Sequence, residues 1–195
     1  MIQEYRGNKP IIHPSAYIAP NACIVGAVSV GPHCRIMHGA QIIAESNPVT
    51  LGSYCIVLEN AVIRAAASDK VVIGDHCLIG PNTHLVSCNV EDEVFIATGA
   101  SVFHSAKLES GSEVRINGVV HLKSVLRKNQ TVPIGWVAVG DPAEVFPPHE
   151  HDKIWAIQKE QGFITHVYNY DPQSGKTTMR QITEAMAKRL GGEGM

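Results

Sequence analysis

Ten histidines in 195 residues are the side chains best suited to chemistry in this chain. Histidine titrates near neutrality and serves as a general base or a metal ligand. A carboxylate at Glu59 beside His38 would orient that ring as a base, although a solvated or interface ion pair is the simpler use of the same two residues. His84 and His104 are the other candidate bases. With His121 they are the histidines from which a metal site would have to be built, but their spacing fits no ligand motif, and no metal ligands are assigned. Arg64 carries a fixed positive charge and has two acids to pair with, Glu45 and Glu59. Glu45, Glu59 and Arg64 form the candidate ligand-binding set, suited to a small anion. No cofactor is implied by these residues alone.

All of them ride on one pattern. An aliphatic residue falls on every sixth position, beginning Ile12, Ile18, Ile24, Val30, Ile36, Ile42. Leu51, Val57, Ile63 and then Ile73, Ile79, Leu85 follow after two short slips. The run ends Val90, Ile96, Val102, Leu108, Val114, Val120, Leu126. Four residues after most of these stands a small side chain, such as Ala22, Cys34, Ala40, Cys55 or Ala61. A period of six fits neither a helix nor a simple alternating strand. It fits an all-β solenoid whose three sides are each one hexad long. Successive rungs then stack about 4.8 Å apart as parallel strands. The coils begin near Ile12, Val30, Leu51, Ile73, Val90 and Leu108, which predicts about six.

This register sorts the chemistry. His38 and Glu59 share one file, with Pro81 on the next rung. His33, Tyr54, His76 and Glu93 form an outer file, expected to stack toward solvent. Cys34, Cys55 and Cys77 fill one inward corner column, expected to hold buried thiols; Cys23 and Cys88 belong to no motif. The slips at residues 44–50 and 65–72 fall at one corner of the second and third coils. They place two loops side by side, a natural place for binding; drift at a tolerant corner gives the same pattern.

Residues 1–11 are expected to cap the array, residues 12–146 to form it, and residues 147–195 to make a helical extension. Within the extension, a helix is predicted over 151–161, with Ile154, Trp155 and Ile157 as its apolar side and Gly162 as its stop. An extended segment over 163–170, a turn over 171–175, a helix over 178–190 with little to bury and a disordered tail over 191–195 should follow. Hydrophobic residues make up 45% and aromatics 6%, which suits a core of branched aliphatics. A net charge of −2 with scattered Lys and Arg disfavours nucleic acid and anionic membranes as partners. Residues 1–10 lack a signal-peptide core, and no apolar run is long enough to span a bilayer. These features predict a cytoplasmic protein with reduced thiols.

The hexad column, the phrase Gly140-Asp141-Pro142-Ala143 after it and the helix beyond resemble the hexapeptide-repeat superfamily. That resemblance implies a left-handed parallel β-helix and a homotrimer. Over residues 10 to 160 the chain looks most like the γ-class carbonic-anhydrase-like group. The matching stretches are Ala40–Glu45, Leu51–Arg64 and Val72–Cys88, and both slips fall where that group has insertions. In the group, three histidines hold a zinc at a subunit interface, two from one chain and one from its neighbour, leaving one position open for water. Carried over, the first histidine falls on Arg64, the second on Pro81 and the third on Val86. The family's Arg-Gly-Asp phrase falls on Ile43-Ala44-Glu45, and its Gln-Asp pair on Leu58-Glu59. The resemblance therefore implies a replaced zinc triad and no carbonic anhydrase activity.

Three readings follow from it. The first is a trimeric binding or assembly module with a small anionic ligand at the subunit interface. The stretch Ile42-Ile43-Ala44-Glu45-Ser46-Asn47 also looks like the small hexapeptide-repeat subunits of dynactin. The second is an acyltransferase using a CoA thioester, with His38, His84 or His104 as base. The third is a carbonic anhydrase with a displaced metal site.

Overall fold

The computed structural model of the chain describes residues 1–66, 69–168 and 179–190. Among these, strands of two to four residues form three sheets, one on each side of a triangular solenoid. The first side stacks Ile2–Gln3, Cys23–Val25, Gln41–Ala44, Val62–Ala65, His84–Val86, Ser101–Val102, Val119–Val120 and Val137–Val139, all parallel. The second side runs from Ile11–Ile12 to Val125–Leu126 and the third from Tyr17–Ile18 to Thr131–Val132. Strands this short are not stable alone, so each depends on the rungs above and below.

The hexad column is the core. Ile42, Ile63, Leu85, Val102 and Val120 are successive partners on the first side, and all are fully buried. The stack has about eight turns, not the six expected. One reason is Ile2–Gln3, which pairs with Cys23–Val25 and adds a rung before the first predicted coil. The other is that the period continues past Leu126 through Val132 and Ala138, both buried. Pro133 and Gly135 between them look like a break in sequence, but they turn a corner, with Gly135 at φ 69°. Glu144–Phe146 then pairs antiparallel with Val137–Val139 and covers that sheet edge.

The corners explain the polar residues between hexads. Gly39, Asn60, Asn82, Gly99, Asn117 and Gly135 all adopt positive φ, which Gly and Asn tolerate best. At Gly39 the glycine is also sterically required, because a Cβ there would sit 2.1 Å from Asn60 Oδ1. At another corner His33, Tyr54 and His76 are left-handed too, and their exposed rings stack at 4.6 and 5.0 Å as expected. The predicted cysteine column is present as free, buried thiols. Cys34 Sγ donates to Gly52 O at 3.0 Å and Cys55 Sγ to Gly74 O at 2.9 Å. Hydrogen bonding to Cys55 together with burial pushes the Cys34 thiol up.

The two slips share a corner, and their described residues are tied to neighbouring rungs. The backbone N–H groups of Glu45 and Ser46 both donate to Ala65 O, at 3.1 and 3.3 Å, and Val71 N donates to Pro48 O at 3.0 Å. Helix α1 (His151–Gln158) ends in a 3-10 turn (Lys159–Gln161) and stops at Gly162, φ 63°, as predicted. Its apolar side is narrower than expected: Ile154 is buried, whereas Trp155 is 51% exposed. Phe163–Tyr168 is a second helix, α2, and not the predicted extended segment. Six alternating residues are too few to separate a strand from one and a half helical turns. Helix α3 (Met179–Leu190) matches the expectation, except that it buries Ile182. Residues 169–170, the predicted turn over 171–175 and the tail over 191–195 lie outside the described residues.

Ile63→Ala should lower unfolding free energy by about 2–5 kcal/mol, through lost burial and the cavity left behind. Ile56→Ala, at an outward position on the third side, should cost less than about 1 kcal/mol. Urea midpoints at constant m-value separate the two.

Candidate functional site

Arg64 lies on Val62–Ala65, between Ile43 on one rung and Val86 on the next. Glu45 follows Gln41–Ala44, where the first inserted loop begins. That placement brings the acid beside Arg64. Arg64 Nε donates to Glu45 Oε2 at 2.7 Å, and Nη2 meets the same oxygen. The pair is well buried on the acid side, with the Glu45 side chain 8% exposed and that of Arg64 32%. Arg189 of α3 approaches the other carboxylate oxygen, Nη2 lying 3.6 Å from Oε1. Its backbone carbonyl accepts a hydrogen bond from Arg6.

Glu59 is not part of this pair. It sits at a different corner, on the rung between His38 and Asn82: Asn60 N donates to His38 O and Asn82 N to Glu59 O. His38 engages Asn21, with Nδ1 2.9 Å from Asn21 Oδ1. Pro81 belongs to the same corner as Glu59, away from Arg64 and Val86.

His84 and His104 gather near Arg64. Partial desolvation, and then the Arg64 charge, hold His84 below the usual histidine range although the residue stays exposed to solvent. His104 is buried, and its Nδ1 has no hydrogen-bond partner among the described residues. Burial, with the positive fields of His166, Arg64 and His84, lowers it to about 4. His121 is also buried. Its Nδ1 lies 2.7 Å from Gln161 Oε1, and burial lowers it as well.

The helices bring in residues whose role their spacing does not reveal. His166 of α2 places Nε2 2.8 Å from Ser105 Oγ, and that hydroxyl also meets Asp69. An ionised Asp69 only accepts, so Ser105 donates to it and accepts from His166 Nε2–H. A nucleophilic serine needs the opposite polarity, with histidine taking its proton. The trio is a clasp for α2, not a catalytic triad. No spacing signal links these residues, because the contacts depend on how α2 docks.

The side chains at the resemblance-derived zinc positions do not fit the metal. A guanidinium repels it, and Pro81 and Val86 offer no lone pair. Among the described residues no three His, Cys, Asp or Glu side chains converge as a metal site. Protonation of all three histidines is disfavoured in the fold, and between about 4 and the ordinary value of 6.5 His104 binds more protons in the unfolded chain than in the folded one. Stability should therefore hold above pH 6.5 and fall as pH drops toward 4, with His104 contributing on the order of 2 kcal/mol. His104→Leu should flatten that part of a urea-denaturation profile.

No family model matches the chain. It is 31% identical over 140 residues to gamma carbonic anhydrase 1, mitochondrial, of Arabidopsis thaliana, covering 69% of this chain and 49% of that protein. The chain thus spans about half the length of this relative. It is 24% identical over 189 residues to a carbonic anhydrase of Geobacillus kaustophilus, covering 97% of this chain and 98% of that one. A hexapeptide transferase family protein from Anaplasma phagocytophilum superposes with a TM-score of 0.57 at 25% identity, covering 87% of this chain and 98% of that one. No described helix is long and apolar enough to cross a membrane. With the hexad core, the three stacked sheets and these relatives in agreement, the chain belongs to the hexapeptide-repeat superfamily of left-handed parallel β-helices and is γ-carbonic-anhydrase-like.

Proposed function

We propose that this chain is a γ-carbonic-anhydrase-like protein without the zinc triad, acting in the cytoplasm as a homotrimeric binding or assembly module. The observation that carries this reading is the Arg64–Glu45 pair. Arg64 and Val86 are partners on adjacent rungs, as two ligands from one chain would be, while Pro81 stands at another corner, where a neighbour's ligand would come from. Arg64 supplies a fixed cation in the metal's place, and Glu45 neutralises it from the same chain. The remaining cleft, with Arg64 and Glu45 from one chain and Glu59 contributed by the corner of a neighbouring chain, suits a small anion or a partner surface.

A second reading, a CoA-dependent acyltransferase, draws on the transferase-family structure. It also draws on His84 and His104, whose protonation is disfavoured near Arg64. Saturable thermal stabilisation by acetyl-CoA, absent with free adenosine, would favour it over the module.

Elemental analysis of the purified protein should find no stoichiometric zinc, and CO2 hydration should stay at background. Stoichiometric zinc with hydration activity would overturn the reading. Arg64→His, Pro81→His and Val86→His combined should create a zinc site in the trimer, and no pair of these changes should suffice. Arg64→Ala alone should destabilise the fold by about 3–5 kcal/mol, because it strands the buried Glu45 charge.

A further inference from the structure

We infer that helix α2 is a latch, hinged at Gly162, that acid releases from the corner of the solenoid. α2 (Phe163–Tyr168) buries no side chain, and Phe163 and Ile164 are both exposed. The helix before it is anchored: Ile154 of α1 is buried, and Ile157 sits close to Gly140. Gly162 between them is left-handed, φ 63°, a backbone that glycine adopts without strain.

With nothing buried, polar contacts hold the latch down. Before the hinge, His121 Nδ1–H donates to Gln161 Oε1 at 2.7 Å, and Lys123 Nζ donates to Gln161 O at 3.0 Å. Beyond it, His166 Nε2–H donates to Ser105 Oγ at 2.8 Å. These contacts bracket His104. It precedes Ser105 in the chain, and its carbonyl accepts from Lys123 N at 2.9 Å on the next rung. The His104 side chain is buried, and Nδ1 has no partner among the described residues. A protonated ring carries N–H on both nitrogens, so there the Nδ1 proton would meet neither water nor an acceptor.

The charges around it act in the same direction. Arg64 and His84 face His104 from the first side, His166 from α2 and Asp69 from the second inserted loop. Lys123 and Asp69 face His166. Asp69 is the one acid in that set, and it is exposed. A proton on His104 or His166 therefore adds repulsion across the seam, and lifting α2 rehydrates the rings. His104 is held at about 4 when docked, against 6.5 ordinarily, so docking is undiminished above pH 6.5 and erodes as pH falls toward 4. Between pH 7.5 and 5.5 the equilibrium shifts about tenfold toward the open form. Opening also changes a neighbouring cavity of about 300 Å³, lined by Asp69, Lys70, Asn89, Ser105 and Lys107. It removes His166 from the Ser105 hydroxyl, one of the polar groups of that lining.

The test is hydrogen exchange of the full chain by NMR at pH 7.5 and 5.5, read as protection factors so that the intrinsic pH dependence of exchange cancels. The amides of His166, Val167 and Tyr168 should lose protection about tenfold, while those of Leu85, Val102 and Val120 keep theirs within about twofold. His104→Leu should reduce the loss in α2 to about twofold or less. Unchanged protection in α2 would overturn the proposal, as would no protection at pH 7.5, which would mean that the latch is already open. Equal loss in helix and strands would mean global unfolding and would overturn it too. Should His104→Leu not fold, an NMR titration of the His104 ring in the unaltered chain decides: a midpoint well below the ordinary value is expected, and an ordinary midpoint would refute the latch.

Discussion

Each turn of this protein must close around an interior only one aliphatic side chain wide per side. Rungs spaced about 4.8 Å apart leave no slack along the stack. A residue added within a hexad would rotate every later side chain off its column, so extra residues are confined to corners. This explains why both insertions, after Ala44 and after Ala65, lie where one side ends and the next begins. It also explains why corner positions next to the core are mostly small, Ala, Cys or Ser with Thr83 and Val94 the larger cases, since a long side chain would collide with the rung above.

The same constraint decides where chemistry can occur. Inward positions are filled by the column, so functional groups are limited to outward files and corners. Arg64 lies on an outward file and Glu45 in a corner, and the stack alone brings them together. The strap of α1, α2 and α3 then runs back along the solenoid. It touches His121 through Gln161, Ser105 through His166 and Glu45 through Arg189. Three separated rungs are tied by side chains that contribute little to the apolar core.

The division between what the sequence shows and what it hides follows from this geometry. A fixed period can be read, so the core, the stacked rings at His33, Tyr54 and His76 and the cysteine column were all accessible, whereas the period alone did not choose between Glu45 and Glu59 as the partner of Arg64. The count of turns was short because Val132 and Ala138 sit among Pro and Gly residues that resemble a terminus, and because Ile2 is followed by an irregular turn. The clasp was not accessible. Ser105 meets His166 across 61 residues, no multiple of the 18-residue turn, and although the 36 residues to Asp69 equal two nominal turns, Asp69 lies in an inserted loop where the register is broken. Such contacts are set by how a short amphipathic strap settles on a rigid stack, and periodicity carries no information about that.

On the proposed reading, replacing a metal by an arginine changes more than catalysis. A zinc held between chains ties subunit assembly to metal supply and to deprotonated ligands. A guanidinium is charged at every physiological pH and is carried by the chain itself. The neighbouring carboxylate is then needed within the same subunit, because an unpaired arginine at a half-buried position would oppose folding. Glu45 meets that need through Oε2, while Arg189 approaches its other oxygen. The exchange that removes the metal therefore leaves a charged pair, Arg64 and Glu45, in its place, and a protein relieved of hydration chemistry keeps a pre-formed surface on which selection for binding can act.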